Sequence, residues 1–426
     1  MKTASKRSSF FKNILTLFSG TAIAQALPIL LSPVLSRIYT PLDFAILAII
    51  TPIITIGATI STLRFDIAVV VPKENSEAKT LLSTALITNI LITVLSALCV
   101  FVFQLTIPSN TLLSDETRKL LWYIPPGIFS IGWYTAYNYW STRNKTYRNN
   151  AASKIIQAIV TIITSIAFGY FIPGAEGLIL GLVAGYMIGL IVLYARQKQE
   201  VPLSDIQKFS LKNAKKTLKK YKDFIFINTP HAVLGIFADY GIVYFLKIFF
   251  INNIIGGFSF AYRYTKAPLG IITSSISQVF YEEASKKVNA GEDIRPLMYK
   301  IQKNLFLLSF PFFVIFIIWA PDIFAFVFSK AYYQAGEIAA LLFPWIYLNF
   351  LISPISGITI ILNKQKEALI LSFLDLALRV AAICIGGAYG DWEFTFLLLS
   401  FFYTIYFIFV SWWYYKISDP CKLKQY

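Results

Sequence analysis

Long apolar stretches recur along the whole chain, and they restrict its fold more than any other feature. About twelve of them have the roughly 20 residues needed to cross a hydrocarbon core of about 30 Å. We predict spans near 13–37, 43–64, 79–103, 117–142, 152–172, 176–195, 224–250, 257–280, 301–321, 336–362, 368–388 and 393–415. Near-continuous apolarity favours helices, because lipid-facing strands would alternate. With 14% charged residues against about 25% in soluble domains, the chain is predicted to be an all-α integral membrane protein.

The positions of lysine and arginine predict the orientation. If the N-terminus is cytoplasmic, the inner segments hold 30 of the 38 Lys and Arg residues and the outer loops hold 3. Positive charge concentrates on the cytoplasmic side of membrane proteins, so both termini are predicted to be cytoplasmic. The same distribution accounts for the formal net charge of +16 without a nucleic-acid partner.

A basic stretch at 196–223 divides the spans into two halves. We predict a six-helix bundle over 1–195, a basic cytoplasmic linker over 196–223, and a second six-helix bundle over 224–426. Apolar residues are interspersed among the linker lysines, which is compatible with an amphipathic helix on anionic membrane lipids. A solvated basic linker is the alternative interpretation.

Arg263 and Lys266 are charged residues well inside predicted span eight. At about 1.5 Å per residue they lie roughly 9 and 13 Å below its outer end, and their spacing of three places them on one helix face. A charge at that depth costs about 2.5 kcal/mol or more and usually lines a polar cavity. We predict that the pair binds an anionic substrate, with Tyr262 and Tyr264 steadying the cations or contacting sugar. Snorkelling, or pairing with a nearby acid, is the alternative.

Arg379 and Asp375 lie deep in predicted span eleven. Their spacing of four residues predicts an intrahelical ion pair. Such a pair competes with the other role considered for Arg379, which is direct contact with substrate.

Three further charges belong to spans one and seven. Asp239 is predicted to be either a structural partner of Arg263 or a titratable site that couples transport to a proton or sodium gradient. Arg37 and Lys247 lie at the outer rim, where snorkelling explains them.

No catalytic or metal-binding signature accompanies these charges. The sequence lacks a Gly-x-x-x-x-Gly-Lys-Ser/Thr nucleotide loop, and Cys99, Cys384 and Cys421 have no metal-like spacing. The predicted outer loops are too short for an extracytoplasmic catalytic platform. We therefore predict a transporter without a cofactor rather than an enzyme.

Several stretches resemble the Wzx-type O-antigen flippases of the polysaccharide-transport family. The stretches at 19–28 (SGTAIAQALP) and 35–44 (LSRIYTPLDF) are similar to the opening of those proteins, although Ala45 stands where the family usually has glycine. The stretch at 64–72 (RFDIAVVVP), followed by Glu77, resembles the family's loop after span two. Those at 263–269 (RYTKAPL) and 278–285 (QVFYEEAS) resemble span eight and its exit. The resemblance supports Arg263, whereas Lys266, Asp239 and Arg379 are predicted from their depth alone.

The resemblance implies a fold and a substrate. It implies two helix bundles that form a V around a central cationic cavity, as in a superfamily that also contains multidrug exporters and lipid II flippases. The implied substrate is an undecaprenyl-diphosphate-linked O-unit, moved from the cytoplasmic to the periplasmic leaflet of the bacterial inner membrane. The O-antigen assembly proteins are the expected protein partners.

Two rival functions are open at the level of sequence. A multidrug or cation antiporter shares the implied fold, although cationic drugs should require exposed acids in the cavity. A membrane polymerase of O-units would require a large extracytoplasmic loop, which the predicted topology lacks.

Overall fold

The computed structural model describes residues 20, 22–106, 115–172, 174–198, 211–362 and 364–419, which form helices joined by turns. In chain order the α-helices are α1 (22–30), α2 (Ser32–Ile38), α3 (Pro41–Ser61), α4 (Phe65–Ala68), α5 (Asn75–Thr106), α6 (Asp115–Leu120), α7 (Ile124–Arg143), α8 (Tyr147–Phe171), α9 (Glu176–Gln197), α10 (Leu211–Lys220), α11 (Thr229–Tyr240), α12 (Ile242–Phe249), α13 (Asn252–Asn289), α14 (Arg295–Val327), α15 (Tyr333–Ile352), α16 (Ile358–Ile361), α17 (Gln365–Ala388) and α18 (Trp392–Ile417). A π-helical turn at Phe224–Asn228 precedes α11.

The helices confirm the predicted membrane class. In the described part of the chain, eight helical stretches are long and apolar enough to cross a membrane, and a ninth results if Phe224–Phe237 and Ile242–Phe249 form one bent span. Predicted spans four and eight coincide with α7 and α13, which are helical but carry more polar side chains. Residues 13–19 and 21 of predicted span one lie outside the described residues. The protein is therefore an all-α membrane protein, and the total of twelve spans stays a prediction.

The chain forms two compact units, Met1–Gly241 and Ile242–Tyr426. The boundary between the two units falls inside predicted span seven. The predicted boundary is the basic linker at 196–223, which precedes it. The reason is that α11 packs on α3 within the first unit, whereas α12 packs on α13 and α17 within the second. The assignment of six spans to each half stays a prediction.

A capping box begins α3, and it gives part of the family-like stretch at 35–44 a structural role. The Thr40 backbone N–H and hydroxyl donate to Asp43 Oδ2 at 2.7 and 2.8 Å, and the Asp43 N–H donates to Thr40 Oγ1 at 3.4 Å. Pro41 occupies the first turn of the helix, where its missing N–H costs nothing. The preceding Tyr39 donates its hydroxyl to the Ser165 carbonyl at 2.6 Å, which fixes this turn to α8.

The turn after α3 is held by an arginine from another helix. Leu63 and Arg64 adopt left-handed backbone angles, with φ of 52° and 57°. Arg143, at the end of α7, donates Nη1 to the carbonyls of Val69 and Pro72 at 3.0 and 2.5 Å. Its Nη2 donates to Asn75 Oδ1 at 3.1 Å. The segment between α3 and α5 is thus fastened to the end of α7.

Replacement of Arg143 by lysine is expected to destabilise the first unit by about 1–3 kcal/mol. A lysine keeps the charge but loses the guanidinium fork that serves several carbonyls at once. Thermal unfolding of the purified protein measures the change. The same substitution at exposed Arg148 should leave the unfolding temperature unaltered, and equal losses in both variants would contradict the proposed fastening.

The basic linker contains a helix, α10, that packs on the first unit. Tyr221 belongs to the apolar core of that unit and Leu218 packs against it. Lys220 forms an ion pair with Glu77 at the start of α5. The hydrogen bond from the Lys220 ammonium to the Glu77 carboxylate raises the pKa of Lys220. Residues 211–220 are therefore helical, as the amphipathic-helix interpretation predicts. Apolar side chains at the C-terminal end of this helix pack against the first unit. Contact of its lysines with anionic lipid stays a prediction.

The second unit is built around α15. This helix packs against α13, α14 and α18, and α18 packs in turn on α17. Gly257 of α13 lies close to α15, because a Cβ built at this position would lie 3.0 Å from the Ile338 side chain. Most residues of α15 are buried, so it forms the centre of the unit.

Candidate functional site

Lys266 and Tyr262 lie one turn apart on α13 and contact each other. The Lys266 ammonium donates to Tyr262 Oη at 2.7 Å, and its Nζ lies 4.8 Å from the centroid of the same ring. Both side chains are half-buried. The pair combines a charge-assisted hydrogen bond with a cation–π contact.

The Tyr262 ring leads to further aromatic residues. It stacks on Phe258 at a centroid distance of 5.7 Å and on Trp345 of α15 at 5.3 Å. Trp345 is 3% exposed and packs on Tyr403 of α18 at 4.4 Å. Rings from three helices therefore form one continuous set.

Arg379 of α17 contacts two of these rings, Trp345 and Tyr403. Its Nη2 lies 2.8 Å from Asp375 Oδ2, its Nε donates to Tyr403 Oη, and its guanidinium carbon lies 5.5 Å from the Trp345 centroid. Tyr403 Oη donates to the Asp375 backbone carbonyl at 3.1 Å. The predicted ion pair is confirmed, and the Arg379 and Asp375 side chains are only 11% and 15% exposed.

These contacts define a cation–aromatic stack in the second unit. Its members are Lys266, Tyr262, Trp345, Tyr403, Arg379 and Asp375. The set contains two cations and one carboxylate, and the carboxylate is paired with Arg379. Trp345 and Tyr403 were not predicted, because the sequence contains 8 Trp and 25 Tyr and nothing local distinguishes these two.

Arg263 lies beside a different tyrosine. Its guanidinium carbon is 5.8 Å from the centroid of Tyr264, and the Arg263 side chain is exposed. Tyr264 itself is 7% exposed and packs on Phe260 at 4.4 Å and Phe328 at 5.6 Å, as a core residue does. Arg263 and Lys266 thus contact different rings, and their joint binding of a substrate stays a prediction, as does sugar contact by Tyr264.

The remaining predicted residues lie elsewhere. The backbone of Asp239 belongs to α11, and its side chain lies outside the described residues. Arg37 is exposed at the end of α2 and donates to the Pro33 carbonyl at 2.5 Å, and Lys247 is half-buried in α12. Within the described part of the chain, no three His, Cys, Asp or Glu side chains are grouped as metal ligands.

Solved structures of membrane transporters share this fold. The lipid II flippase MurJ in an inward closed conformation aligns with a TM-score of 0.66 at 20% identity, over 97% of this chain and 89% of that one. An inward-facing multidrug resistance MATE family transporter of the MOP superfamily aligns with a TM-score of 0.59 at 13% identity, over 96% and 95%. A MOP superfamily transporter from Pyrococcus furiosus aligns with a TM-score of 0.55 at 14% identity, over 96% of each chain.

The sequence comparisons assign a family. No curated protein matches the sequence significantly. The family model described as polysaccharide biosynthesis protein matches residues 34–337, which include α3 to α14 and, from the cation–aromatic stack, Tyr262 and Lys266. The match covers well over half of the chain, so this protein belongs to the polysaccharide biosynthesis protein family and has the fold of MOP superfamily transporters.

Proposed function

We propose that the protein is a flippase for an undecaprenyl-diphosphate-linked oligosaccharide, an O-antigen unit. It moves this lipid from the cytoplasmic to the periplasmic leaflet of the bacterial inner membrane. The observation that carries the proposal is the Lys266 ammonium, which Tyr262 holds within the cation–aromatic stack of a helix bundle that spans the membrane. A fixed cation at such a place is costly unless it serves an anion.

The chemistry of the cations supports a diphosphate substrate. A lysine ammonium is a compact point charge that binds phosphate, and an arginine can bind phosphate oxygens in a bidentate fork. Membership of a polysaccharide biosynthesis family supports a glycan, and the likeness to a lipid II flippase supports a lipid carrier.

The proposed mechanism is alternating access. The diphosphate is neutralised by Lys266 and Arg263, the sugars pass through an aqueous cavity, and the lipid tail stays in the bilayer at a side gate. A proton or sodium gradient supplies the driving force, with Asp239 as the candidate coupling group. O-antigen assembly proteins supply and consume the lipid-linked unit.

The double variant Arg263→Ala/Lys266→Ala tests this function. In a flippase-null strain it is expected to restore less than about a tenth of the full-length O-antigen made with the wild-type protein, because two charge-assisted contacts to the diphosphate are lost. Gel electrophoresis of lipopolysaccharide measures the product, and immunoblotting verifies equal amounts of protein in the membrane.

A matched control removes two exposed lysines from the start of α14. The variant Lys300→Ala/Lys303→Ala loses the same charge and should restore O-antigen fully. Full restoration by the Arg263/Lys266 variant would show that these cations do not bind the substrate. Single O-units that accumulate on lipid A in the null strain would favour a polymerase instead.

A multidrug antiporter is the second candidate, since MATE transporters share the fold. A cationic drug requires acids, and Asp375, the carboxylate of the stack, is already paired with Arg379. Drug-susceptibility assays of a hypersensitive strain that expresses the protein discriminate the two. The flippase predicts unchanged inhibitory concentrations, and a rise for several cationic drugs would favour the antiporter.

A further inference from the structure

The cation–aromatic stack has one end that is locked by protein contacts. Arg379 is bonded to Asp375 and Tyr403, and its guanidinium carbon lies 5.5 and 5.1 Å from the Trp345 and Tyr403 centroids. A guanidinium that is paired with a carboxylate and covered by two rings offers little surface to a ligand. Arg379 therefore fits a structural role in the stack better than direct contact with substrate.

The other end of the stack is less enclosed. Lys266 is half-buried, and its ammonium is held by the Tyr262 hydroxyl at 2.7 Å. An ammonium has three donors, and the bond to Tyr262 uses one of them. A free lysine side chain loses much rotamer entropy when a ligand fixes it, and a preformed bond to Tyr262 removes part of that cost in advance.

The two ends are joined by stacked rings. Trp345 contacts both ends, because its ring centroid lies 5.5 Å from the Arg379 guanidinium carbon and 5.3 Å from the Tyr262 centroid. Trp345 is buried, so neither neighbour can shift without disturbing the packing of α15. The position of the Tyr262 hydroxyl, and with it the Lys266 ammonium, thus depends on the locked end.

We propose that Lys266 is the residue of the stack that contacts the substrate diphosphate, and that Tyr262 and Trp345 are positioning residues that act through it. The Arg379–Asp375 pair anchors the two rings and does not itself bind the lipid. This division of roles rests on the proposed function, since it requires a diphosphate ligand.

Binding of undecaprenyl diphosphate to the purified full chain in nanodiscs tests the proposal, with uncharged undecaprenol as the reference lipid. Tyr262→Phe keeps the ring and removes the acceptor oxygen, so it should weaken diphosphate binding about five- to tenfold. Lys266→Ala should weaken it further. Neither variant should change the binding of undecaprenol, and Tyr281→Phe, the same change at an exposed site of α13, should bind both lipids as the wild type does.

The double variant Tyr262→Phe/Lys266→Ala separates positioning from a purely structural role. If Tyr262 acts through Lys266, its loss has no further effect once Lys266 is absent, and Trp345→Phe behaves in the same way. Additive losses, or a Tyr262→Phe variant that binds as the wild type does, overturn the proposal. A wild-type protein that binds undecaprenol as tightly as undecaprenyl diphosphate contradicts the proposed function itself, which is a distinguishable result.

Discussion

Gly185→Leu is expected to prevent the accumulation of folded protein. Glycine recurs at every fourth position of α9, and these glycines lie against α8. They are Gly177, Gly181, Gly185 and Gly189. A Cβ built at Gly185 would lie 2.8 Å from the Gln157 backbone oxygen, and it would overlap the Thr161 hydroxyl. Small residues at this spacing let two membrane helices approach through their backbones.

The size of the effect follows from what blocks the new side chain. Overpacking costs about 1–3 kcal/mol where flexible side chains can give way, and more where a helix backbone must move. We expect a loss of at least about 3 kcal/mol, which is a large fraction of the stability of a typical domain. Fluorescence-detected size-exclusion chromatography of a tagged protein measures the monodisperse fraction.

A second glycine supplies the control. A Cβ at Gly270, which is exposed on α13, meets nothing within 4 Å. Gly270→Leu should therefore leave the monodisperse yield unchanged or slightly higher, because leucine favours the helix over glycine. A Gly185→Leu protein that elutes like the wild type would falsify the close packing of α8 and α9.

Replacement of Asp375 by leucine is expected to destabilise the second unit by about 3–5 kcal/mol. The variant leaves the buried Arg379 charge without its carboxylate, and an uncompensated buried charge is far costlier than a missing pair. Asp375→Leu/Arg379→Leu removes both charges, so it should recover most of the lost stability. Thermal unfolding of the single and double variants in detergent measures this coupling.

An exposed pair with the same spacing is the matched control. Glu282 and Lys286 of α13 are also four residues apart, at 2.6 Å, but their side chains are 51% and 71% exposed. Glu282→Leu should change the unfolding temperature little, because exposed pairs contribute little. Similar losses at both sites would mean that burial is not the cause of the Asp375 effect.

The Asp375→Leu/Arg379→Leu variant also connects stability with binding. If the Arg379–Asp375 pair anchors the rings, its removal should yield a folded protein that binds the diphosphate lipid less tightly than the wild type. A direct substrate contact by Arg379 predicts a loss that adds to that of Lys266→Ala, whereas anchoring predicts no addition. The same variant therefore tests both roles considered for Arg379.

Predictions from the sequence succeeded where the physics is local. Hydropathy over about 20 residues identified the membrane helices, and a spacing of four on a helix identified the Arg379–Asp375 pair. The spacing of three between Arg263 and Lys266 was a weaker guide, because each long side chain contacts its own tyrosine in the structure. The turn of residues 35–44 resembles a family signature, and its capping box shows that part of such a signature is structural.

The sequence by itself determined the membrane class, the helical content and the Arg379–Asp375 pair, because these depend on residues close together in the chain. Only the tertiary structure decided that Lys266 and Arg379 belong to one set of contacts. Tyr262, Trp345 and Tyr403 join them from helices α13, α15 and α18, which are separated by tens of residues. Which rings meet depends on how those helices pack, and packing is a property of the whole unit rather than of any segment.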